Sequence, residues 1–187
     1  MIKREKNYLT QKKKKYILMS VIWLFIMFGI FWTGYILNNT RNNVFTVFAA
    51  VLVLPAAQYM TQLFAILKFK DPDIEASNQL ELIKGNYNLF HSVLIPDLTE
   101  IIYFDHIVVT GTKIYCIIDN VTDIAKQKEI FDKKIKAKGI SLKAIVYVDQ
   151  NKTKDMGNLF KQIEVNAAIE NEINLKEQTQ LITQMMM

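Results

Sequence analysis

The architecture is decided by residues 17–67, which read ILMSVIWLFIMFGIFWTGYIL (17–37), NNTRNN (38–43) and VFTVFAAVLVLPAAQYMTQLFAIL (44–67). The two apolar runs are 21 and 24 residues long and hold no formal charge. As helices they would span roughly 32 and 36 Å, against about 30 Å for the hydrocarbon core of a bilayer. The sequence therefore predicts a two-helix transmembrane hairpin closed by a six-residue polar turn. The first run is too long for the core of a secretory signal. It also carries Trp and Phe where small residues would mark a cleavage site, and a second span follows it, so it is expected to stay as an anchor.

Lys and Arg set the expected orientation. Residues 1–16 carry Lys3, Arg4, Lys6, Lys12, Lys13, Lys14 and Lys15 against Glu5 alone; Lys68 and Lys70 follow the second span, and the turn has only Arg41. Basic flanks stay on the cytoplasmic side, which predicts a multi-pass cell-membrane protein with both termini cytoplasmic. The basic tail is expected to meet anionic lipids of the bilayer. No Asp, Glu, Lys, Arg or His lies inside either run, so a proton relay or ion-coupled carrier has no residue to work with. In the second run Ala49 and Ala56 share one face and Ala50 and Ala57 another, with Gln58 and Gln62 one turn apart. Small residues and amides of this kind seat a neighbouring helix, in the first span, a protein partner or a second copy. Pro55, between the alanine pairs, is expected to bend the helix.

The chain thus divides into a basic tail (1–16), the hairpin (17–67) and a cytoplasmic domain (68–187). Although the chain carries a net +5, residues 68–187 hold 15 basic and 17 acidic residues. The domain is close to neutral, which speaks against a nucleic-acid-binding surface. Its pattern predicts a helix over 74–84, a strand over 89–95, and a hairpin of 101–109 and 113–118 with Gly111 supplying positive φ. A helix over 122–138 stopped at Gly139 follows, then a central, two-sided strand over 142–148. Met156, Leu159, Phe160 and Ile163 mark one face of a further helix with Thr153 as its N-cap, and a weaker helical pattern covers 166–182. The fold class expected is α/β: a mixed sheet of about four strands with helices on its faces, in the order α-β-β-β-α-β-α.

Few residues suggest chemistry. Cys116, the only cysteine, sits in an apolar strand pattern as an inert buried thiol and allows no intramolecular disulfide. His91 and His106 are the only imidazoles, too few for a structural zinc site, and no glycine-rich nucleotide loop can be assembled. Strand alternation places Asp105 on one face with Tyr103, Ile107 and Val109, and His106 on the other. A carboxylate on an apolar face needs a partner, a metal or a raised pKa.

The element order over residues 74–149, and the segment FDHIVVTGTKIYCIIDN (104–120), resemble the core hairpin of the nuclease-related domain family, which has the restriction-endonuclease-like fold. That resemblance implies an aspartate opening the second core strand and an acidic-x-Lys motif ending the third, together holding Mg²⁺. Asp105 matches the first acid. Ile118 or Asp119 falls at the second and Asn120 or Val121 at the lysine, so the motif is degenerate. The expectation is a membrane-anchored, non-catalytic binding or scaffolding protein without a cofactor. Its alternatives are a tethered Mg²⁺-dependent nuclease or hydrolase using Asp105 and Asp119, with Glu81 as a third acid, and a small subunit of a larger membrane complex.

Overall fold

The computed structural model describes residues 1–98, 100–118, 124–139, 142–149, 156–169 and 171–186. They form two units, one made of Met1–Tyr8 with Asp71–Met187 and the other of Leu9–Lys70.

The second unit is the hairpin. Helices α1 (Tyr8–Asn38) and α2 (Val44–Leu67) are both long and apolar enough to cross a membrane. They run antiparallel: the Tyr16 and Tyr59 rings lie 6.2 Å apart at one end, and Lys13 donates to the carbonyls of Leu67 and Phe69. At the other end Asn43 builds the turn. Its amide donates to the Gly34 carbonyl at 3.0 Å, and its Oδ1 accepts from Thr46 N at 3.0 Å as the N-cap of α2. Ala49 and Ala56 are buried within the hairpin, whereas Ala50 and Ala57 are exposed. Pro55 lies inside α2, which continues through it without a break. Within the basic segment, Lys12–Lys15 lie in the first turns of α1, and Ile2–Arg4 form strand β1 of the other unit.

The first unit is α/β. Helix α3 (Ile74–Glu81) is capped by Asp73, whose carboxylate accepts from the Glu75 and Ala76 N–H groups. It is followed by β2 (Tyr87–Pro96), β3 (Ile101–Thr110), β4 (Ile114–Ile118), α4 (Ile124–Ala137), β5 (Ile145–Asp149), α5 (Met156–Ala167) and α6 (Glu172–Met185). Among the described residues the sheet has five strands in the order β1-β2-β3-β4-β5, not four. The outer pairs β1–β2 and β4–β5 are parallel, and the two inner pairs antiparallel.

The fifth strand comes from the N-terminus. Three residues are too short to show a period of two, so β1 leaves no trace in the hydropathy pattern. Strand β5 is an edge strand rather than a central one. Its unbroken apolar run arises because Ile145 and Tyr147 pack into one half of the core and Val146 and Val148 into the other. Helices cover both faces, and that asks nothing of the strand's neighbours. One half contains Phe131 and Ile135 of α4 with Leu175 and Ile182 of α6; the other contains Leu80 of α3 with Leu159 and Ile163 of α5.

Gly139 stops α4 at φ 81°, as its position implies. Gly111 does not take positive φ; a Cβ there would stand 3.0 Å from Asn171 Cβ, so close approach is what its position requires. The expected N-cap Thr153 lies outside the described residues.

Candidate functional site

A buried polar cluster interrupts the middle of β2 and β3. Phe90 and Val93 belong to the same half of the core although they are three residues apart, and so do Phe104 and Ile107. In a regular strand such residues face opposite ways, so each strand slips by one step. The slips coincide, since Phe90 pairs with Ile107, His91 with His106 and Val93 with Phe104. At that point Ser92 adopts φ 53°, a left-handed conformation that costs a non-glycine residue about 1–3 kcal/mol. His91, Ser92, Asp105 and His106 lie within the slip and are buried, with exposures of 0, 0, 6 and 1 %.

Two segments from outside β2 and β3 hold Ser92. Its Oγ donates to Asp71 Oδ1 at 2.9 Å, and its carbonyl accepts from Arg4 Nη1 at 3.2 Å. These charge-assisted bonds are of the right size to offset the backbone cost.

The two imidazoles form the centre. Their Nδ1 atoms are 2.9 Å apart and the rings meet edge to face at 85°. One Nδ1 must donate and the other accept. Glu81 decides which: its Oε1 lies 3.2 Å from His91 Nε2, and its Oε2 lies 2.8 Å from Lys6 Nζ. A carboxylate requires His91 Nε2 to carry the proton, although the contact is too poorly aligned for a good hydrogen bond. His91 Nδ1 is then the acceptor and His106 Nδ1–H the donor. His106 Nε2 is left as a buried lone pair with no hydrogen-bond donor among the described residues.

Burial, reinforced by the neighbouring His91, pushes His106 down to about 3. Burial also lowers His91, outweighing the attraction of Glu81, with Lys6 adding to the lowering. Both rings are therefore neutral at neutral pH. Rings this closed to solvent offer no nitrogen to a substrate.

Asp105 lies in a second string. Burial, followed by the charge of Asp105 and a hydrogen bond to it, raises the Tyr103 phenol far above its usual range, while the Ser92 hydroxyl opposes that rise. Regular alternation through Asp105 would put Ile107 and Val109 on the face opposite Phe104. They pack with Phe104 in the core half shared with α4 and α6, because the slip falls between Phe104 and Ile107.

Of the three acids singled out from the sequence, Glu81 is engaged with Lys6 and His91, and Asp105 with Tyr103. Asp119 lies outside the described residues. Among the described residues no three His, Cys, Asp or Glu side chains are arranged to hold a metal ion. Cys116 is fully buried and its thiol is raised by desolvation.

The histidine pair was not apparent from the sequence. The signal that finds it is the short connection after Pro96: with Pro96 opposite Ile101, an antiparallel register places His91 opposite His106. Compared with models of protein families, with characterised proteins and with solved structures, the chain matches none.

Proposed function

We propose that the chain is a two-span membrane protein with both termini in the cytoplasm, whose α/β domain is a non-catalytic binding or scaffolding module of degenerate nuclease-like design. The observation that carries the non-catalytic reading is the engagement of the candidate acids: Glu81 is neutralised by Lys6, and Asp105 is buried beside the Tyr103 phenol. A Mg²⁺ site for phosphodiester cleavage needs several carboxylate oxygens directed at one point, together with a base to activate water. Carboxylates committed to internal partners serve the sheet instead.

The membrane reading draws on the basic flanks and on the chain's path. The segments before α1 and after α2 both belong to the α/β unit, so the hairpin is an insertion that leaves this unit and returns to it. That path supports a reading in which both ends of the hairpin lie on one side of the bilayer. Lys14 and Lys15, exposed on α1, are available to anionic headgroups. With Ala49 and Ala56 used inside the hairpin, the exposed face of Ala50, Ala57 and Gln58 is the one left for a partner helix or a second copy.

Incubation of the purified full-length chain with DNA and RNA in millimolar Mg²⁺ tests the non-catalytic reading. No cleavage is expected. Mg²⁺-dependent cleavage that disappears in Asp105→Ala overturns it.

A further inference from the structure

Ser92 stands in the left-handed region in mid-strand, with the Tyr103 phenol of β3 against its hydroxyl. Its two charged partners come from particular places in the chain. Arg4, on its carbonyl, lies four residues before Tyr8, the first residue of α1; Asp71, on its hydroxyl, lies four residues after Leu67, the last of α2. The segments leading into and out of the apolar hairpin therefore meet at one strained residue of the sheet. Lys6, on the same entering segment, pairs with Glu81, which contacts His91.

We propose that Ser92 is a conformational relay between the hairpin and the sheet. Arg4 and Asp71 together hold it left-handed. A change in the spacing or tilt of the hairpin ends loosens one anchor, Ser92 leaves the left-handed region, and β2 and β3 return towards regular alternation, separating His91 from His106. Two observations make this a two-state element rather than an ornament. The slip occurs in both strands at the same register, so it is made or lost as a unit. The backbone cost at Ser92 and the gain from its anchors are of the same order, so a small displacement tips the balance. The relay rests on the membrane reading, because the bilayer is what acts on the hairpin.

Bilayer thickness supplies the input, since helices longer than the hydrocarbon core tilt as it thins. The full-length chain is placed in nanodiscs of short-chain and of long-chain phosphatidylcholine, and amide hydrogen exchange is followed over 88–96 and 101–110. In the unmodified chain, exchange at 91–93 and 104–106 should differ between the two bilayers by about fivefold or more. In Asp71→Ala and in Ser92→Ala that difference should disappear. A chain that enters both bilayers but exchanges identically at these amides overturns the relay and leaves the membrane reading standing. A chain recovered outside the nanodiscs overturns both.

Discussion

His91 and His106 face each other across β2 and β3 with their Nδ1 atoms 2.9 Å apart, and Glu81 behind His91 fixes the direction of the proton between them. Two neutral imidazoles in a closed core make the domain sensitive to acid. Both rings titrate below the unfolded value of 6.5, His106 at about 3. The unfolded chain therefore takes up protons first as pH falls. Stability from this pair is complete above about pH 6.5 and is lost as pH drops towards 3, by at most about 1.4 kcal/mol per unit for each ring.

Urea denaturation between about pH 7 and 5, above the range where most carboxylates titrate, should show falling stability on acidification. His106→Asn, whose amide can keep the donor to His91 but does not titrate, should reduce that slope by roughly half. Stability that rises on acidification, or a slope unchanged in the variant, would contradict the neutral pair.

The left-handed Ser92 inverts an ordinary preference. Alanine normally exceeds glycine within a strand, because glycine is entropically costly and packs nothing. At position 92 both variants lose the bond to Asp71, but alanine retains the backbone strain and glycine relieves it. Ser92→Ala should cost about 1–3 kcal/mol and Ser92→Gly about 1 kcal/mol less than Ala. Thermal melts of the two variants check the order, and alanine ranking above glycine would contradict a left-handed Ser92.

Strand β1 makes the N-terminal segment part of the sheet: Leu89 N donates to the Met1 carbonyl, and Arg4 and Lys6 reach Ser92 and Glu81. A fragment covering residues 71–187 lacks these contacts. Adding a peptide of residues 1–8 in excess should raise its melting temperature by mass action. A Lys6→Ala, Arg4→Ala peptide should raise it less. No response to either peptide would remove β1 from the sheet.

The hairpin and the order of strands and helices from residue 74 onward were legible because they rest on long runs and clear periods. Helix α2 begins at Val44 and ends at Leu67, where the apolar run does. What escaped has a physical cause in each case. Strand β1 is shorter than the period that would reveal it. The edge position of β5 was hidden because helices bury both of its faces. In the sequence, alternation runs through Asp105 without a break, whereas a single left-handed residue at Ser92, together with the matching step in β3, shifts the phase of both strands. Serine gives no warning of positive φ, as Gly or Asn would. The meeting of Lys6 with Glu81 spans the whole hairpin in sequence and has no local signature at all.

The placement of the hairpin is the claim on which the rest depends, and labelling tests it most directly. In a Cys116→Ser background, single cysteines at Asn42 and at Lys143 are exposed on intact cells to a maleimide that cannot cross membranes. That placement predicts labelling at position 42 alone, with position 143 reacting only after the cells are opened. Labelling of position 143 on intact cells, with position 42 protected, would contradict it.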